Sequence, residues 1–289
     1  MFKKAVILMI MSALAFALLN VFVKKLTHFN VYQIVFFRSI GSLFFTLPFL
    51  MHKKISILGN EKFLLLSRGF IGFVAMTLFF MSLKHLSMGA SVSIRYISPI
   101  FAALFALILL KERVKHLQWF CFAIALSGVF ILKGFNIEVN SYGIFYALLS
   151  AVFTGLVFII IRKIGNKDHP IVVVNYFMII AALFGGVLAI SNWQNPVGIE
   201  WVILLSLGVF GYFGQYYMTK AFQIGEVNQI APLKYIEVIF TMLIGVIWLA
   251  ETYTIIGLLG ISLILGGLIL NFMVKRRSSF DKNSKTKMN

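Results

Sequence analysis

Lys234 and Glu237 stand three residues apart inside an apolar stretch, residues 227–251, that reads VNQIAPLKYIEVIFTMLIGVIWLAE. Earlier in the chain Arg95-Tyr96-Ile97 answers Lys234-Tyr235-Ile236 at an offset of 139 positions. A charge near the middle of a bilayer costs about 3 kcal/mol or more, so such residues face a bundle interior or a water-filled cavity and mark a substrate or ion path. On a helix Lys234, Glu237, Thr241, Gly245 and Trp248 fall along one face, as do Arg95, Ser98, Ala102, Ala106 and Leu109. Arg95, Lys234 and, in an earlier apolar run, Arg38 suit a carboxylate, and Glu237 suits a cationic end. Tyr96, Tyr235 and Trp248 suit a ring or a cation. Against this stand plainer readings: the small members of each stripe pack helices, Lys234 and Glu237 neutralise each other, and Arg38 fits a structural pairing as well as a cavity.

The elements that must position these residues are membrane spans. Of the 289 residues 61% are hydrophobic and only 12% charged, and the mean hydropathy is +0.96. Soluble domains carry about 25% charged residues. The apolar runs are too long for the alternating strands of a barrel, so the chain reads as an all-α integral membrane protein. The net charge of +17 does not point to nucleic acid, since no basic stripe is interleaved with aromatics on a soluble surface. The lone cysteine, Cys121, lies in an apolar run, which excludes an internal disulfide and leaves packing as its role. The first apolar run resembles a signal peptide, but it continues to Val23 and reads as an uncleaved span.

Ten such runs occur, at 5–23, 31–51, 64–83, 89–110, 117–132, 142–161, 171–190, 201–221, 227–249 and 255–274. With the N-terminus cytoplasmic, the inside segments hold twelve Lys or Arg plus six over 275–289, while the outside loops hold Lys24, Lys25, Lys84 and Lys133. Both termini are predicted inside, in an inner membrane. The repeat also extends beyond the opening motif. At the offset of 139, Ser67, Gly69 and Gly72 match Ser206, Gly208 and Gly211, and Gly128 matches Gly267; at 138, Ser12-Ala13 matches Ser150-Ala151. Residues 1–137 and 138–275 are therefore two five-span repeats, followed by a basic, irregular cytoplasmic tail, 276–289, that touches anionic lipid. Because five is odd, the halves face opposite ways, the pattern of alternating-access transporters with a site at the repeat interface.

Several motifs occur in order at the right spans. They are Phe37-Arg38, Arg68-Gly69, Arg95-Tyr96-Ile97-Ser98-Pro99-Ile100, Lys111-Glu112, Ile230-Ala231-Pro232-Leu233-Lys234-Tyr235-Ile236-Glu237 and Ala250-Glu251. In these the chain resembles the drug/metabolite transporter superfamily, in its EamA-type branch of ten-span proteins. The Ala-Pro-x-basic-Tyr-x-Glu run is most similar to the S-adenosylmethionine-uptake kind, with amino-acid exporters and riboflavin transporters as relatives. The resemblance implies a secondary transporter of a small metabolite, and the charge inventory suits a zwitterion such as an amino acid or S-adenosylmethionine better than riboflavin or another aromatic. One departure is that Ser98 stands in the first half where Glu237 stands in the second.

Other classes find little support. The five histidines read as loop or boundary positions and both aspartates fall outside the spans, so neither a hydrolase nor a metal centre is expected, and no catalytic residue. No nucleotide-binding loop is present, and no cofactor is called for. A non-transporting scaffold does not account for duplicated charges at mid-span. Arg68 is read as snorkelling to the headgroups, Pro99 and Pro232 as kinks, Glu112 as part of an interfacial ion pair, and Asn20 as interhelical glue. The expected partners are the bilayer and a small-molecule substrate.

Overall fold

The computed structural model describes residues 2–109, 116–134, 140–165, 167–224 and 234–286. Among these, the secondary structure is helical and no strand occurs. The helices are α1 (Phe2–Lys25), α2 (Val31–His52), α3 (Lys62–His85), α4 (Met88–Arg95), α5 (Ser98–Leu109) and α6 (His116–Gly134), then α7 (Ser141–Ile164), α8 (Pro170–Ala189), α9 (Ile199–Ile224), α10 (Ile236–Leu249) and α11 (Ile255–Thr286). Side chains start several of them where the sequence supplies a cap. Asn30 accepts from the Tyr32 amide, Ser87 from Ala90 and Asn140 from Tyr142. Pro170 occupies the first turn of α8, where its missing N–H is no loss.

Among the described residues seven helical segments are long and apolar enough to cross a bilayer, and three shorter apolar ones are Trp119–Ile131, Ile236–Leu249 and Ile255–Leu270. Two of the expected runs differ from single helices. The run at 89–110 is broken into α4 and α5 around Tyr96 and Ile97. A proline at 99 has no amide hydrogen for the Arg95 carbonyl, and the Ile97 and Ile100 amides make tighter bonds to Ile94 and Ile97 at 3.0 and 2.8 Å. The run at 227–249 is described only from Lys234, as a short 3-10 turn at 234–235 leading into α10; Pro232 and Asn228 lie outside the described residues, as does Glu112. The tail also differs from the irregular segment expected. No glycine or proline follows Gly267, and α11 runs on as helix to Thr286.

Polar and charged groups are buried within an apolar core, while much of the surface is apolar. Arg38, Arg68, Asn20, Asn175, Glu237 and Thr241 are all buried, whereas Phe44, Phe63, Leu183, Ile247 and many like them are exposed. Hydrocarbon, not water, suits such a surface, and interior polar groups are then left to satisfy one another.

Packing follows the repeat. α1 packs on α9 and α10, α2 on α8 and α9, α3 on α7 and α8, α5 on α7, α4 on α10, and α6 on α11. Exchanging the halves (α1 with α7, α2 with α8, α3 with α9, α4–α5 with α10, α6 with α11) maps this set of pairs onto itself. The match reaches single atoms. Ser12 donates to the Gly214 carbonyl and Ser150 to the Ala75 carbonyl, both at 2.7 Å. Gly128 abuts the carbonyl of Gly260 as Gly267 abuts that of Cys121. Direction is reversed between equivalents: α3 finishes at the end of the bundle that carries the α1–α2 connection, where Lys84 donates to the Phe29 carbonyl at 2.6 Å. Its counterpart α9 begins there, where Glu200 meets His28 at 2.9 Å.

Candidate functional site

The break between α4 and α5 meets the start of α10 at the middle of the bundle. Tyr96 and Tyr235, which are repeat equivalents, touch edge to face with ring centroids 5.5 Å apart. The pseudo-twofold relation between the halves therefore passes through this pair. Around it lies one polar network. The Glu237 carboxylate is 1% exposed and draws on α1, the end of α4 and the break after it: Oε1 accepts from Arg95 at 2.9 Å and from Asn20 at 3.2 Å, and Oε2 accepts from the Tyr96 hydroxyl at 2.5 Å. Its place in the first turn of α10 adds the helix dipole to these donors. The Thr241 hydroxyl closes the turn above by donating back to the Glu237 carbonyl at 2.8 Å.

Arg95 is only partly enclosed, its side chain being 23% exposed, and it lies flat over the Phe79 ring at 3.7 Å. An arginine so placed is neutralised, supported on an aromatic face and still partly open. The ion pair joins the halves, since Arg95 closes α4, within the fourth run, and Glu237 opens α10, within the ninth. The network is one-sided. Where Ser98 replaces the acid in the first half, the residue matching Asn20 is Phe158, so acid and amide are absent together.

α3 carries further cations along this centre. Arg68, Gly72, Met76 and Phe80 recur every four residues and so share one face. Arg68 lies against Gly72 and over the Phe177 ring of α8 at 4.6 Å. Arg38, from α2, meets the Met76 sulfur and sits over Phe80 at 5.6 Å.

The helix ends around the centre are tied down. Glu251 accepts from the Met88 amide at 2.9 Å and from the Tyr253 hydroxyl at 2.6 Å, holding a carboxylate on the N-terminus of α4. Burial and then the hydrogen bond to Glu251 push the Tyr253 hydroxyl up from its ordinary pKa, so it stays a donor. The left-handed Ala250 (φ 50) lets the chain turn there, and the Glu251 amide returns to the Gly245 carbonyl at 3.0 Å. Lys24 donates to the carbonyls of Leu83 and Leu86, both at 2.6 Å, capping α3. At this same end His28, Asn30, Lys84, His85, Asn192 and Gln194 are among the residues lining a cavity of about 370 Å³.

Five of the seven residues singled out in the sequence come together: Arg95, Tyr96, Lys234, Tyr235 and Glu237, with the Lys234 amine 5.8 Å from the Tyr96 ring. Arg38, from α2, packs on α3 beside them. Trp248 does not join. It lies in the last turn of α10, 53% exposed, under the Lys25 amine at 5.7 Å, because the stripe that buries Glu237, Thr241 and Gly245 reaches the bundle edge there. The ion pair of Glu237 is with Arg95, while Lys234, in the 3-10 turn that precedes the α-helix, lies over the Tyr96 ring within reach of the Glu237 charge. Arg68, read as snorkelling, is instead 6% exposed, because Phe177 and Gly72 accept its guanidinium inside the bundle. Asn20 enters the network through a contact with α10 that no local pattern signals, although its burial in an apolar run was visible.

The EamA-like transporter family profile matches residues 3–133 and again 141–273. The pseudopaline exporter of Pseudomonas aeruginosa is 30% identical over 243 residues, covering 82% of this chain and 85% of its own length. Solute carrier family 35 member G1 of Homo sapiens is 26% identical over 257 residues, covering 83% and 70%. The S-adenosylmethionine uptake transporter of Rickettsia prowazekii is 25% identical over 221 residues, covering 74% of each chain. A solved crystal structure superposes with a TM-score of 0.71 at 18% identity over 94% of this chain and 97% of its own. That likeness concerns the fold.

Proposed function

The chain belongs to the EamA-like transporter family and is a multi-pass membrane transporter, not an enzyme; from this premise we propose that it moves a small zwitterionic metabolite by alternating access at the Arg95–Glu237 centre. Ten spans in two inverted five-helix repeats, bounded near residue 137, rock against one another. The observation that carries this reading is a buried ion pair contributed half by one repeat and half by the other, beside the exposed edge of Arg95. A bond across the repeat interface is made and broken as the halves move, and a substrate able to replace both partners lowers the cost of breaking it. The substrate carboxylate takes Arg95, with Lys234 at its side, and its amino group takes Glu237. Tyr96 and Tyr235 provide ring faces for the rest of the molecule. The relatives that take up S-adenosylmethionine or export pseudopaline are compatible with this class.

Flux into liposomes containing the purified chain tests it, with labelled amino acids, S-adenosylmethionine, nucleosides and riboflavin as the panel. Saturable flux is expected for a compound with both a carboxylate and an amine, competed by others of that class. Flux of riboflavin or nucleosides alone would overturn the zwitterion reading in favour of an aromatic metabolite.

The proposed setting is an inner membrane with both termini cytoplasmic. In a background with Cys121→Ser, Thr252→Cys is expected to react with an impermeant maleimide from outside intact cells, and Lys54→Cys only after permeabilisation. The reverse pattern would invert the orientation, and labelling of both from one side would remove the ten-span topology.

A further inference from the structure

Around the centre the cations outnumber the carboxylates. Arg95 is neutralised by Glu237, but among the described residues neither Arg38 nor Arg68 has an acidic partner. Both are at least nine-tenths buried, at 5% and 6% exposure. Their contacts are soft ones: the Met76 sulfur and the Phe80 ring for Arg38, and the Phe177 ring for Arg68. Nε of Arg38 and both Nε and Nη1 of Arg68 are N–H donors without an acceptor. A fourth donor of the same kind lies nearby on α8, two residues before Phe177: Asn175 is fully buried, its Oδ1 accepts from Thr46 at 3.0 Å, and its Nδ2 has no acceptor.

Position along α3 makes these groups one device. The Arg68 guanidinium lies at Gly72, that of Arg38 at Met76 and Phe80, and that of Arg95 on Phe79. Along α3 the Arg68 guanidinium thus lies nearest residue 72, while those of Arg38 and Arg95 share a level at 76–80, about 6–10 Å of helix rise further on. Like charges stacked so closely in a low dielectric repel, and aromatic faces offset only part of their lost hydration. An anion that accepts from two forks at once removes both costs, and planar guanidinium is the group best shaped to bind carboxylate oxygens in pairs.

We propose that Arg38 and Arg68 form a second anion subsite, reaching along α3 from the level of Arg95, which takes a second carboxylate of the transported zwitterion. The substrate class narrows accordingly, from zwitterions in general to amino compounds with two or more carboxylates. This rests on reading the Arg95–Glu237 centre as the substrate site. An amine on Glu237, one carboxylate on Arg95 and another on Arg38 and Arg68 would fill the donors and the acceptor together.

The test compares matched probes on the full chain in detergent: glutamate against glutamine, and succinate against propionate, at constant ionic strength set with chloride. The readout is the shift of the thermal midpoint with probe concentration, for wild type, Arg38→Gln, Arg68→Gln and Arg95→Gln. Wild type is expected to respond saturably, and to the dicarboxylate at concentrations at least tenfold lower than to its partner. Arg38→Gln and Arg68→Gln are expected to abolish that tenfold preference and keep the weaker response, and Arg95→Gln to lose both. If a glutamine variant fails to fold, Arg38→Lys or Arg68→Lys replaces it, retaining the charge without the fork and part of the preference. A wild type that responds to no probe, or equally to both members of each pair, overturns the subsite, as does a preference that survives in Arg38→Gln and Arg68→Gln. Survival of every response in Arg95→Gln, with loss in Arg38→Gln, supports the subsite and removes the central reading instead.

Discussion

Glu237→Gln is expected to lower the stability of the folded chain by about 3 kcal/mol, because it leaves Arg95 facing a neutral group in a site that excludes most water. On the scaling of large domains this is roughly 6–12 °C in the thermal midpoint. The carboxylate accepts from Arg95, Asn20 and Tyr96 at once, so the substitution also obliges the Tyr96 hydroxyl to find another acceptor or turn its own lone pair to the new amide. The companion variants identify the partner. Arg95→Met with Glu237→Gln removes both charges and is expected to recover most of the loss, since no buried charge is stranded. Lys234→Met with Glu237→Gln is not, because Lys234 lies over the Tyr96 ring and outside the ion pair. Thermal unfolding of wild type, the two doubles and the singles Glu237→Gln, Arg95→Met and Lys234→Met in one detergent closes both cycles and gives the two couplings. Equal recovery in both doubles would move the partnership back to Lys234, where the three-residue spacing puts it.

Gly208→Leu is expected to have a still larger effect, the loss of folded protein. At the crossing of α2 and α9 a Cβ on Gly41 would stand 2.8 Å from the Gly208 Cα, and one on Gly208 would stand 2.9 Å from the Ser42 amide and against the Gly41 backbone. Every obstacle is main chain, so the helices themselves must separate; overpacking of this kind costs more than about 3 kcal/mol. Separation would also break the bond from Ser42 to the Gly208 carbonyl, 3.1 Å. The repeat-equivalent crossing supplies the contrast, since Gly69 matches Gly208 and Ile180 matches Gly41 at the offset of 139. There a new methyl group meets chiefly the mobile tip of Ile180, and Gly69→Ala is expected to cost about 1 kcal/mol. Size-exclusion profiles of the detergent extracts separate the outcomes. A monodisperse Gly208→Leu at wild-type yield would show that the crossing is looser than its geometry.

How far the sequence could be read depended on whether the signal was local or symmetric. The offset of 139 carried real contacts, because equivalent residues meet equivalent surroundings: Gly128 and Gly267, Ser12 and Ser150, Tyr96 and Tyr235. The convergence of Arg95, Tyr96, Lys234 and Glu237 followed from that symmetry. What the spacing could not supply was the choice of partner. Glu237 has a lysine three residues away and an arginine 142 away, and the break before α10 favours the distant one. Arg68 was misjudged for a related reason, since six residues from a helix start is a normal snorkelling position unless a facing helix offers an aromatic ring. Trp248 shows the converse: a correct helical stripe does not stay interior once the helix passes the edge of its neighbours.

The most direct test of the centre as a substrate site, and not as a structural bridge, is the flux carried by Arg95→Met with Glu237→Gln. The measurement is made in liposomes, with whichever panel compound the wild type transports saturably, at matched amounts of folded protein. The expected result is a protein that folds near wild-type stability yet moves the compound no faster than empty liposomes do. Flux at the wild-type rate would contradict the account, leaving Arg95 and Glu237 as a bond between the repeats that the substrate never touches.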